Sequence, residues 1–171
     1  MIRAAAILAL AAIAGPATAA TVSLGNMSIS YDETRWSVSS PAAGETLASA
    51  TREPGALRFV CMASSCRKQA VVWASAVPAG TKPPACKPDD PSQIARFLRS
   101  GTEVLAAGPL QLNLTTTHSG CRAYTPAHRR ACGSDAAYTY AFDTGTHLGC
   151  GGIEGVSDAM FRELLGGISF R

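Results

Sequence analysis

Leu110-Gln111-Leu112-Asn113-Leu114-Thr115 alternates apolar and polar residues without a break. Successive side chains of a strand point to opposite faces, so this segment reads as a strand with its leucines on a core and its amides in water. Tyr138, Tyr140 and Phe142 repeat the pattern, and Leu57, Phe59 and Cys61 share one face of another such segment. Val71, Trp73 and Val77 lie on one side of the next run and Val72, Ala74 and Ala76 on the other, which predicts a strand buried on both faces. Nearer the N-terminus, Met27, Ile29 and Tyr31 share one side of a period-two segment. Trp36 and Val38 open a further strand after the turn-like Asp32-Glu33-Thr34.

Two helices are expected to cover this sheet. Asp90-Pro91-Ser92-Gln93 supplies an N-cap carboxylate, a proline for the first helical position and a glutamine placed for a capping box. Ile94, Phe97 and Leu98 then mark one helical face, and Gly101 marks the stop. Ser157 caps the second helix, which turns Phe161, Leu164 and Leu165 inward and ends at Gly166-Gly167 before a last strand, Ile168-Ser169-Phe170. Residues 116–135 are polar and read as a loop, Ala42 to Pro54 as a polar connection, and His147 to Cys150 as a hairpin partner for the strand of Phe142. Five of the ten prolines fall between Pro78 and Pro91, so residues 78–91 are expected to be a surface loop tethered by Cys86. The fold class this predicts is α+β: a mainly antiparallel sheet covered by two short helices, in a sandwich stapled by disulfides.

The opening strand that runs into Tyr31-Asp32 and Trp36, the Phe161 to Leu165 helix and the short last strand together resemble the PsbP-like α/β/α sandwich proteins. That resemblance implies an accessory or binding subunit rather than an enzyme. The six cysteines depart from its pattern.

Residues 1–19 carry one positive charge at Arg3, an apolar run from Ala4 to Ala14 and the small-residue box Ala17-Thr18-Ala19. This is the order of a secretory signal peptide cleaved after Ala19, and the run is too short for the roughly 20 residues that a spanning helix needs. Residues 20–171 are then one exported domain, periplasmic or secreted and monomeric, with no membrane anchor. Formal charge is +3 for the whole chain, and losing Arg3 lowers it to +2, which gives no reason to expect nucleic acid as a partner.

Export also decides the reading of Cys61, Cys66, Cys86, Cys121, Cys132 and Cys150: an even set in an oxidising compartment predicts disulfides. Fifteen pairings are open. Local geometry favours Cys61 with Cys66, Cys121 with Cys132 and Cys86 with Cys150. If the thiols were reduced, Cys121, His128 and Cys132 would fall within the spacing of a zinc site and the protein would handle metal.

Catalytic strings are incomplete. Ser65-Cys66-Arg67-Lys68 matches Ser-x-x-Lys without its companion strings, and Gly155-Val156-Ser157-Asp158-Ala159 matches a nucleophile elbow with no histidine after the serine. Gly149, Gly151, Gly152 and Gly155 lack phosphate-loop spacing. An enzyme, hydrolase-like, would have to assemble His147, Asp143 and Ser157 in three dimensions, and no cofactor is implied. The sharpest feature is electrostatic: Arg122, His128, Arg129 and Arg130 cluster in a sparsely charged chain, and guanidinium forks suit carboxylate and phosphate. The expected function is a small binding or accessory module presenting this anion-recognition loop to a protein, a glycan or a small anion.

Overall fold

The computed structural model describes residues 18–40, 56–64, 66, 70–82, 86, 97–119, 127–144 and 156–170. Strands β1 (Ala19–Leu24) and β2 (Met27–Asp32) form a hairpin, and β10 (Ile168–Phe170) joins β2 to complete a three-stranded antiparallel sheet in the order β1-β2-β10. The larger sheet has seven antiparallel strands: β3 (Trp36–Ser39), β4 (Leu57–Cys61), β5 (Val71–Pro78), β6 (Phe97–Ala107), β7 (Leu110–Ser119), β8 (Ala127–Ser134) and β9 (Tyr138–Asp143). Their spatial order is β3-β4-β5-β9-β8-β7-β6. Helix α1 (Asp158–Gly166) packs its Phe161, Leu164 and Leu165 into the same core.

The molecule is therefore mostly β, with one short helix among the described residues, and the α+β sheet under two helices is corrected. Phe97 and Leu98, expected on a helix, begin β6; residues 87–96 lie outside the described residues. Helical spacing over Ile94, Phe97 and Leu98 is a single turn of signal. Against it stands a long hairpin in which β6 pairs with β7 from Arg99↔His118 to Ala107↔Leu110, and such tertiary pairing overrides local propensity. The α/β/α sandwich implied by the PsbP-like resemblance does not match this architecture either.

A second correction concerns residues 116–135. Strand β7 runs on to Ser119 and Ala127–Ser134 is β8, flanked on both sides in the sheet. The polar residues of β8 find partners on β9, His128 and Arg130 at Asp143 and Ser134 at Thr139, so polarity there does not mark a loop. It follows that the hairpin partner of β9 is β8, whereas His147 to Cys150 and Ala42 to Pro54 lie outside the described residues.

Two faces of the large sheet do different work. Phe59, Val72, Leu112, Leu114, Ala131, Tyr140 and Phe142 point toward the small sheet and α1, where Met27 and Ile29 meet them fully buried. Aromatic edges lock the two sheets: Tyr31 meets Phe59 at 5.8 Å and Tyr140 meets Phe170 at 6.3 Å, both T-shaped. Trp73, Ser75, Val77, Ala141 and Asp143 point the opposite way and are also buried, as the doubly apolar β5 predicts. On that second face Arg58 lies over Trp73.

Two disulfides brace this arrangement. Cys61 pairs with Cys66 beyond β4, where the sequence places it, but Cys132 pairs with Cys86. The expected Cys121–Cys132 and Cys86–Cys150 bridges are thus corrected. Cys132 sits on β8 with its side chain on the second face beside Ala141, and Cys86 packs against the same residue there. Cys121 and Cys150 lie outside the described residues. Among the described residues no cysteine is free and no helix is long and apolar enough to cross a membrane, and the disulfides suit folding in an oxidising compartment.

Candidate functional site

Strand β8 sorts the cationic cluster by alternation. His128, Arg130 and Cys132 face the second side of the sheet, while Arg129 and Ala131 face the core side. Three members of the proposed loop are therefore strand residues, two of them on the opposite face from the third. Arg122 lies outside the described residues.

On the second face a buried cluster forms around Asp143, the cross-strand neighbour of Arg130. His128 Nε2 and Asp143 Oδ1 are 2.8 Å apart, and Arg130 Nε donates to Asp143 Oδ2 at 3.3 Å. His128 and Asp143 are each 4% exposed. A histidine oriented by a carboxylate is half of a general-base arrangement. Among the described residues, however, His128 has no hydroxyl or thiol within hydrogen-bond reach. Ser157, the candidate nucleophile, accepts from the Met160 amide as the α1 N-cap, and His147 lies outside the described residues. Asp143 is joined to His128 and Arg130, Ser157 serves as a helix cap, and the third member of that set lies outside the described residues. Cys132, bonded to Cys86, cannot supply the thiolate that the zinc reading needs.

On the core face the apolar floor ends at Leu114, and the next cross-strand row is Gly101 of β6, Thr116 of β7 and Arg129 of β8. This row, with Thr102, Glu103 and Asp158, lines a cleft of about 400 Å³. Gly101 opens it: a Cβ built there meets nothing within 4 Å. Arg129 lies on its wall with a side chain only 11% exposed. Its Nε donates to Asp158 Oδ1 at 3.1 Å and its Nη1 to the Val156 carbonyl at 2.7 Å. Nη2 has no protein partner among the described residues. The opposite wall is held by Arg162, whose Nε donates to Asp158 Oδ2 at 2.6 Å and whose Nη2 pairs with Glu103.

Two guanidinium groups and two carboxylates balance in charge around the cleft. Burial pushes the Asp158 carboxyl upward, but hydrogen bonds from Arg162 and Arg129 outweigh it and hold the group below the usual carboxylate range. The clamp is consequently charged at neutral pH. The sequence pointed to Arg129; it missed Gly101, Thr116, Glu103 and Asp158, which converge from three further elements and carry no spacing signal.

A smaller cavity of about 180 Å³ lies between β2 and α1, lined by Tyr31, Asp32, Trp36, Glu163 and neighbours. No protein-family model matches the chain, and no curated protein matches it.

Proposed function

We propose that this protein is an exported, disulfide-stabilised binding module whose ligand enters the Gly101–Arg129–Asp158 cleft with an anionic group against Arg129. The observation that carries this reading is the orientation of Arg129. Its guanidinium is fixed on two edges by Asp158 and the Val156 carbonyl, while Nη2 keeps its donors for a ligand. A fork already ordered loses little entropy on binding. Thr116, in the same cross-strand row, offers a hydroxyl beside it for the rest of a small polar molecule. Signal-peptide cleavage after Ala19 belongs to the same reading, and two disulfides are consistent with export.

Calorimetric titration tests the site with inorganic phosphate and D-glucuronate as anionic probes and glucose as the neutral control. Binding of an anionic probe is expected, and a saturating probe at a hundredfold its Kd would stabilise the fold by about 2.7 kcal/mol. Gly101→Leu fills the cleft without touching the Arg129–Asp158–Arg162 chain, so it should abolish binding and preserve Tm. Heat of binding that is identical in wild type and Gly101→Leu, or absent for both anions, would remove the cleft from consideration.

A further inference from the structure

Trp36 opens β3 and packs edge-on against Phe59, with 2% of its surface exposed. Phenylalanine would fill a dry core position of this kind; tryptophan brings an N–H as well. A buried indole N–H ordinarily finds an acceptor. Tyr140, fully buried in the same core, obeys that rule, since its hydroxyl meets Asp135 and the Asn26 amide. Trp36 does not: its Nε1 is buried with no hydrogen-bond partner among the described residues. The same side chain forms part of the wall of the cavity of about 180 Å³ between β2 and α1.

We propose that this cavity is a second ligand site, which takes a small uncharged ring compound whose carbonyl or ether oxygen accepts from Trp36 Nε1. Size sets the first limit. A cavity of about 150 Å³ is enough for benzene, so about one six-membered ring fits here and a sugar chain or a nucleotide does not. Tyr31, Leu164 and Trp36 make the wall largely apolar, which favours a hydrocarbon body. Charges at the mouth are already engaged: Glu163 pairs with Arg35, and Asp32 Oδ1 accepts from the Thr34 amide at 2.9 Å and from its hydroxyl at 2.6 Å. The buried polar atom that this wall leaves unmet is the indole donor, so an acceptor is the polar group that a ligand must carry. Ala19 lines the cavity as well, and cleavage after it would widen the mouth without touching Trp36. The site is separate from the Arg129 cleft, and it stands whether or not that cleft binds an anion.

Two tryptophans give two indole N–H signals in a nitrogen–proton NMR spectrum, and Trp36→Phe deletes one and so assigns both. Cyclohexanone titrated into the oxidised protein should move the Trp36 signal downfield to a plateau, because a new hydrogen bond deshields the proton, and leave that of Trp73 in place. Cyclohexane has the ring without the acceptor; it should bind at least tenfold more weakly. In Trp36→Phe that preference should vanish, read as equal rises in Tm from the two probes at equal concentration. Stationary indole signals, a shift at Trp73 alone, or equal affinity of the wild type for the two rings would overturn the proposal. If Trp36→Phe melts early, Trp73→Phe supplies the assignment and the wild-type comparison of the two rings decides.

Discussion

Tyr140 shows how much one residue carries. Its ring is buried between the sheets, its hydroxyl donates to Asp135 Oδ2 at 2.6 Å, and the Asn26 amide donates to that hydroxyl at 3.2 Å. The phenol therefore ties the β1–β2 turn to the β8–β9 turn. Its inward direction is readable from the Tyr138-Tyr140-Phe142 alternation, but its partners are not, because Asn26 is 114 residues away in the chain. Glycines make a sharper test of close packing. A Cβ at Gly133 would fall on the Gln111 carbonyl of central strand β7, which has no freedom to retreat, whereas one at Gly101 meets open space. Gly133→Ala should cost about 1–3 kcal/mol in denaturant unfolding, and Gly101→Ala should leave the midpoint unchanged; equal effects would place the strain elsewhere.

At the scale of elements, the terminal helix was readable and the upstream one was not. Ser157 caps α1 by accepting from the Met160 amide at 3.3 Å, and Gly167 ends it where a side chain would strike the Ser30 carbonyl of β2. Local chemistry decides the first end and close approach to β2 the second. Ser157→Ala should cost about 1 kcal/mol, measurable as a drop in Tm. Disulfides differ in reach: Cys86–Cys132 closes a separation of 46 residues and Cys61–Cys66 one of 5. Chain-entropy reasoning gives about 4 kcal/mol for the longer and about 2 kcal/mol for the shorter. Replacing each pair with alanines should reproduce that order. Peptide mapping of the native protein should also find Cys121 joined to Cys150, the pairing left once the other four are assigned; a free thiol at either would contradict it.

For the whole molecule, pH response integrates these ties. Thr34 hydrogen bonds lower Asp32, and at Asp135 the bonds from Tyr140, the Tyr138 and Ala137 amides and Asn26 outweigh a burial effect that acts upward. Asp158 is lowered as well. A carboxyl with a depressed folded value stabilises above its unfolded pKa of ~3.9 and loses that contribution as pH falls through the folded value. Tyr140 behaves in the opposite sense: burial and the hydrogen bond to Asp135 push it up to about 12, so its contribution is complete below ~10 and disappears as pH rises through 12. Tm should therefore hold level between about pH 5 and pH 9 and fall on both flanks. Tyr140→Phe should shrink both the acid and the alkaline slopes, and unchanged slopes would mean that this hydroxyl does not couple the two turns.

Period-two alternation determined most of the strands from sequence alone, because the side-chain repeat of a strand is local and leaves its mark residue by residue in Leu110 to Thr115 and Val71 to Val77. Local chemistry likewise placed the Ser157 cap and the short Cys61–Cys66 bridge. What tertiary structure alone decided was every feature made by residues distant in sequence. Strand β8 looks like a loop until β7 and β9 flank it and Asp143 accepts from Arg130; Cys132 meets Cys86 because the sheet order brings them together; and the cleft exists because three strands and α1 converge around it. Polar residues on a central strand carry no period that announces burial, since it is the partner carboxylate, supplied by another strand, that makes burying a guanidinium affordable.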